Sequence, residues 1–163
     1  MTIKTYQGTH KEQIASLIIN IQRGEFNVPI TLADQPDLAN IPSFYQVKNG
    51  EFWVAENDVG KVVGTIALID IGGNEGAIRK MFVHKDFRGK THGVAQALFN
   101  TLFNSAKEAG MKGLYLGTIA RLEAAIRFYE RNGFTPIEKQ DLPPRFPLMA
   151  VDTHFFQDRK SVV

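Results

Sequence analysis

Residues 87–93 read FRGKTHG, and the way this run is read decides the fold assigned to the chain. It contains Gly89-Lys90-Thr91, the ending of an ATP-binding P-loop. A P-loop, however, requires glycine, four residues, then Gly-Lys-Ser/Thr. Counting back from Gly89, the position that should hold the first glycine holds His84. The segment entering the loop, AIRKMFV (77–83), also closes a series of strands joined by short turns, which makes it antiparallel to its predecessor rather than part of a parallel nucleotide-binding sheet. What remains is a strand, a glycine-containing loop with Arg88 and Lys90, and the start of a long helix. Backbone N–H groups in such a loop, with the helix dipole behind them, make an anion site suited to a pyrophosphate.

Working outward from the loop, the next residues give a helix. Val94, Leu98, Leu102 and Ala106 form one stripe and Ala95, Phe99 and Phe103 its neighbour, ending at Gly110. GLYLGT (113–118) follows as a strand; with a helix between them, it should lie parallel to 77–83 through a right-handed crossover. A second helix carries Leu122, Ala125, Ile126 and Tyr129 at offsets of one helical face, and Asn132-Gly133 stops it. Residues 134–139 and 148–156 read as two last strands around the proline-rich LPPRFP (142–147).

Upstream, a strand at 3–6 leads into Thr9-His10-Lys11-Glu12, which has capping-box spacing and opens a helix with Ile14, Leu17, Ile18 and Ile21 on one face. Residues 24–46, with Pro29, Pro36 and Pro42, are irregular, and QPDLANIPSFYQ there reads as a short second helix plus loop. Residues 52–56, VVGTIALID (62–70) and 77–83 form an antiparallel meander, its turns at 57–60 and 72–74. The nearly continuous apolar run of the middle strand fits burial on both faces. The fold class is α/β (α+β): one mixed, mostly antiparallel sheet of about seven strands, with helices on both faces.

The 163 residues, 44% hydrophobic, read as a single domain over 1–163. No cysteine is present, which excludes disulfides, zinc-thiolate sites and thiol nucleophiles. A net charge of +2 with scattered basic residues gives no reason for a nucleic-acid partner. No apolar run reaches the length of a membrane span. The opening MTIKTYQGTHKEQ lacks the apolar stretch of a signal peptide, so a cytoplasmic protein is expected. No metal is called for, and residues 160–163 are expected to fray.

Taken together, MFVHKDFRGKTHGVAQAL (81–98) and YLGTIARLEAAIRFYERNGF (115–134) resemble the GNAT superfamily of acyl-CoA-dependent N-acyltransferases. Its motifs are Gln/Arg-x-x-Gly-x-Gly/Ala after the fourth strand and a later helix ending Tyr-Glu-Lys/Arg-x-Gly-Phe. The motif matches lie between Met81 and Phe134, and the order of elements agrees over nearly the whole chain. Two departures stand out. Aligned without a gap, Thr91 takes the place of a glycine; two extra residues instead align Lys90-Thr91-His92-Gly93-Val94-Ala95 with the motif. Leu122 stands where many members carry an asparagine that contacts the pantetheine arm.

The resemblance implies a sheet that splays between its fourth and fifth strands, and an acetyl-CoA co-substrate whose pantetheine arm pairs with Met81, Phe82 and Val83. It implies pyrophosphate binding by Arg88, Gly89, Lys90, Thr91, His92, Gly93, Val94 and Ala95, with Phe128 and Arg131 also against the cofactor. Tyr129 takes the role of acid to the leaving thiolate, and transfer to an amine is direct. The base stays open among Glu75, Glu25, Glu56, His84 and a water chain, the family's usual position falling near Ala77. Strand alternation places Glu75, Ala77, Arg79 and Met81 on one face, so Arg79 or Lys80 is expected to meet an anionic group on the acceptor, with Glu25, Phe26 and Tyr45 as further acceptor contacts. A homodimer is common in the family. The alternative class is a non-catalytic acyl-CoA-binding module.

Overall fold

The computed structural model describes residues 1–159, so the expected fraying of 160–163 lies outside the described residues. Seven strands form one sheet: β1 (Thr2–Thr5), β2 (Glu51–Glu56), β3 (Val62–Gly72), β4 (Glu75–Val83), β5 (Gly113–Thr118), β6 (Thr135–Ile137) and β7 (His154–Asp158). Their spatial order is β1-β2-β3-β4-β5-β7-β6. Every neighbouring pair is antiparallel except β4–β5, as the intervening helix required.

Among the described residues four α-helices pack on the sheet: α1 (Lys11–Ile19), α2 (Ile41–Phe44), α3 (Val94–Glu108) and α4 (Glu123–Arg131). They divide between two faces, and β3 shows why its sequence is apolar throughout. Its Ile66 and Leu68 join Leu98, Phe99 and Leu102 of α3 in one cluster, while Val62 and Ala67 join Ile14 and Ile18 of α1 in another. A third, smaller cluster forms where Leu142 and Phe146 of the proline-rich loop cover Ala77, Tyr115 and Phe155. Among the described residues no helix is long and apolar enough to cross a membrane.

Four details differ from the sequence reading. The capping box at 9–12 is absent: a 3-10 turn (Gly8–His10) precedes α1, and the Gln7 N–H donates to His10 Nδ1 at 3.0 Å. His10 is drawn inward instead by Glu56, 3.0 Å from its Nε2. The helical path does not end before Gly24 but runs on from α1 as a π turn over Asn20–Glu25, an irregularity often found near functional sites. Residues 148–153 are a loop, not the start of the last strand. The Thr153 N–H donates to the Thr118 carbonyl at 2.9 Å, folding that loop over the end of β5.

The fourth correction lies in β4. Thr65 of β3 opposes Phe82, but Ala67 opposes Arg79, so β4 carries an extra residue between them. Lys80 has a φ of 54°, in the left-handed region, and the Thr65 hydroxyl donates to its carbonyl at 2.7 Å. Such a bulge reverses the side-chain alternation beyond it. Met81 therefore packs with Ile78 and Val83 on the α3 side, not with Ala77 and Arg79 as strict alternation predicts.

Candidate active site

Strands β4 and β5 pair only over Glu75–Gly113, Gly76–Leu114 and Ala77–Tyr115. Beyond Ala77 they diverge, since β4 stays paired to β3 as far as Val83 and β5 stays paired to β7 as far as Thr118. The right-handed twist of neighbouring strands widens the gap. A cavity of about 740 Å³ fills it. The facing edges of both strands carry backbone N–H and C=O groups that neither strand supplies to the other, a ready place for an extended ligand to pair.

Met81, Phe82 and Val83 line the β4 side of the cavity; Phe128, Tyr129 and Arg131 line the α4 side. Its mouth reaches Arg88, Gly89, Lys90, Gly93 and Ala95. Gly93 is the N-cap of α3 with a φ of 66°, a backbone conformation glycine adopts without the clash of a Cβ. The Gly93 N–H donates to the Gly89 carbonyl at 3.2 Å, closing the loop into a compact turn. The N–H groups of the first α3 turn have no carbonyl within the helix to accept from them, so they remain available to an anion. Thr91 and His92 are exposed and outside the cavity lining; the His92 ring sits 5.7 Å from that of Phe87. Val94 is buried in the core.

Arg88 is held rather than free. Its Nε donates to the Val83 carbonyl at 2.8 Å, and its guanidinium forms a two-pronged pair with Glu25, Nη2 to Oε1 at 2.9 Å and Nη1 to Oε2. It also lies 5.7 Å from the centre of the Phe26 ring, which lines the cavity. On the opposite side the Arg121 guanidinium donates to the Asn27 carbonyl at 2.9 Å. Residues 25–27 are thus fastened to both arms of the splay.

Tyr129 is 7% exposed and faces the cavity, and among the described residues its hydroxyl makes no hydrogen bond. Burial, with the charge of Asp152 adding to it, raises its phenol above the ordinary value, so the group is protonated at neutral pH. Arg79 and Lys80 both point to the face away from α3, but their situations differ. Lys80 is 6% exposed, donating to Gln35 Oε1 at 2.5 Å, with Asp37 Oδ2 3.5 Å away. Burial lowers it to about 8, partly offset by Asp37. Arg79 has only the Met149 sulfur, 3.0 Å from Nη2, and no carboxylate within 4 Å among the described residues.

Tyr45 does not reach the cavity: it is fully buried, its hydroxyl donating to Asp37 at 2.5 Å. None of the carboxylates or histidines considered as a base lines the cavity either. Glu75 accepts from the Tyr115 hydroxyl at 2.7 Å, Glu56 is bound by Lys4 and His10, Glu25 is paired with Arg88, and His84 caps the turn before the loop. The carboxylate that does line it is Asp152, which the sequence reading missed by placing it inside a strand. Its one sequence signal is a lone acid after the apolar LMAV. Burial raises Asp152 to about 6, against the opposing charges of Arg79 and Lys80.

The geometry has a counterpart among known families. The Acetyltransferase (GNAT) domain matches residues 48–136. The chain belongs to the GNAT family. An acetyltransferase of the GNAT family from Staphylococcus aureus Mu50 superposes with a TM-score of 0.92 at 40% identity, over 96% of each chain. In sequence, an Escherichia coli protein described as an uncharacterized N-acetyltransferase, YjgM, is 36% identical over 66% of this chain and 64% of its own. The mouse "Probable N-acetyltransferase family 8 member 5" is 34% identical over 61% of this chain and 45% of its own. The chain thus spans about half to two thirds of these curated relatives. A Sinorhizobium meliloti GNAT phosphinothricin acetyltransferase in complex with acetyl-CoA shares the fold, with a TM-score of 0.71 at 14% identity. Within the GNAT match fall both the β4 bulge and the loop at 84–93; Asp152 and the loop that carries it lie beyond its end.

Proposed function

We propose that this GNAT protein transfers the acetyl group of acetyl-CoA to a primary amine on an acceptor that also bears an anionic group, by direct attack without an acyl-enzyme. The observation that carries the reading is the cavity between the diverging halves of β4 and β5, open at one end to the N-terminus of α3. An extended pantetheine chain matches the free edge of β4 beyond Ala77, and a pyrophosphate matches the amides at Val94 and Ala95 with Lys90 beside them. β4 N–H groups near the bulge would polarise the thioester carbonyl. Tyr129, protonated and facing the cavity, is suited to donate to the leaving thiolate. Arg79, without a carboxylate partner, is the cation an acceptor's anion would meet. Arg88 can serve the pyrophosphate only by sharing or leaving Glu25, so its contribution is smaller than that of a free arginine.

Calorimetric titration with acetyl-CoA and with CoA tests this, on the wild type and on Arg88→Ala/Lys90→Ala. Charge-assisted hydrogen bonds contribute about 1.5–3 kcal/mol each. The double variant should therefore lose at least ~10-fold in affinity for both ligands. Absence of binding in the wild type rejects the co-substrate. Binding without CoA release in the presence of any amine would mark a binding module instead of a transferase.

A further inference from the structure

Two opposite charges face the cavity without being joined to each other. Arg79 projects from β4, braced among the described residues only by the Met149 sulfur. Asp152 projects from the loop 148–153 and has no ion-pair partner within 4 Å and no donor to its carboxylate among the described residues. They sense each other's charge across the cavity all the same. A half-buried arginine and a half-buried aspartate of one site, neither with an ion-pair partner among the described residues, carry a desolvation cost that a ligand bridging them would offset. The site is also built to admit the aspartate: a Cβ on Gly117 of β5 would lie 2.6 Å from its Oδ2. Tyr129 of α4 lies within reach of its charge as well, and Lys80 of β4 is the remaining charged neighbour.

We propose that Arg79 and Asp152 form a dipolar subsite for an amino carboxylate acceptor, Arg79 holding its carboxylate and Asp152 receiving its ammonium and taking a proton from it. This rests on the acetyl-transfer reading above. The acceptor enters as R–NH3⁺. Asp152 removes one proton, and the freed lone pair attacks the thioester carbonyl carbon, forming the C–N bond as the π pair moves to oxygen. The C=O bond re-forms, the C–S bond breaks with its pair on sulfur, and the Tyr129 phenol protonates that thiolate. Of the two protons the nitrogen loses, one restores Tyr129 and the other leaves to solvent by way of Asp152. Burial keeps Asp152 a stronger base than an exposed aspartate while leaving it ionised at neutral pH.

The test measures CoA release from acetyl-CoA with glycine, β-alanine, γ-aminobutyrate and larger α-amino acids, each against its carboxamide. The proteins are the wild type, Arg79→Gln, Asp152→Asn and Gly117→Ala, with acetyl-CoA titrated calorimetrically into all four. The wild type should prefer at least one amino carboxylate over its carboxamide by ~10-fold or more in kcat/KM, and Arg79→Gln should erase that preference. Asp152→Asn should lower kcat by ~100-fold or more with acetyl-CoA affinity retained. In the wild type kcat/KM should level off above about pH 6, where Asp152 is ionised, up to the pKa of the acceptor's ammonium. In Asp152→Asn it should instead rise tenfold per pH unit across that range, because only neutral amine then reacts. Gly117→Ala should shift the wild-type profile without deleting the carboxylate. The subsite is overturned if carboxamides react as well as carboxylates, if no amino carboxylate reacts, or if Asp152→Asn keeps half the wild-type rate and its profile. Failure of the wild type to bind acetyl-CoA overturns the transferase reading itself, whereas binding with any of the other failures overturns the subsite alone.

Discussion

Lys80 gives a stability prediction whose size follows from its surroundings. The ammonium is sealed between β4 and the 3-10 turn (Pro36–Ala39), and burial brings it to about 8, with Asp37 and Gln35 the groups that hold it. In the unfolded chain a lysine titrates near ~10.4. Between those two values the unfolded chain keeps a proton that the folded chain has shed, so the unfolding free energy rises with pH. A gap of about 2.5 units corresponds to ~3 kcal/mol in total, of which ~2 kcal/mol is recovered between pH 8 and pH 10. Above pH 10 the raised phenols of Tyr6, Tyr45, Tyr115 and Tyr129 act in the opposite sense, because the unfolded tyrosines ionise first. The window is therefore pH 8 to 10. Urea unfolding followed by Trp53, the single tryptophan and 5% exposed, reads it directly. Relative to Lys80→Met, the wild-type midpoint should move up by ~1 M urea from pH 8 to pH 10, for a slope near ~2 kcal/mol per molar. Equal pH slopes in the two proteins would refute the account of Lys80 as a buried ammonium held against its desolvation.

Two further outcomes are expected at single positions. Tyr129→Phe keeps the ring packed against Phe99, Phe134 and Phe156 and removes only the hydroxyl, so kcat should fall ~100-fold at unchanged acetyl-CoA affinity, as read by steady-state CoA release. Gly50→Ala places a methyl against the backbone carbonyls of Tyr45 and Leu68, the latter at 2.8 Å, and neither can turn aside. It should cost ~1–3 kcal/mol in urea unfolding, and a neutral result would mean the entry to β2 is looser than it stands here.

The sequence settled most of what is periodic or local. The α3 stripe of Val94, Leu98 and Leu102 announces a helix with one buried face, and that face is the one found against β3. The turn residues at 57–60 and 72–74 fix two hairpins, and a helix between β4 and β5 forces their parallel pairing. The glycine spacing of FRGKTHG excluded the P-loop without any coordinates. Those inferences depend on backbone geometry over a few residues, which the side chains themselves encode.

What only the tertiary structure decided depends on residues distant in the chain. One extra residue in β4, visible only from its register with β3, sends Met81 to the α3 side and brings Arg79 and Lys80 to the same face. Arg88 meets Glu25 across 63 positions, and Lys80 meets Gln35 across 45, separations at which no local pattern marks a partner. Asp152 becomes a candidate base because a loop that reads as strand folds back onto Thr118, beside a glycine that leaves room for its carboxylate. Charge, burial and the distance between unpaired groups are properties of that packing, and they arise only once the chain has closed on itself.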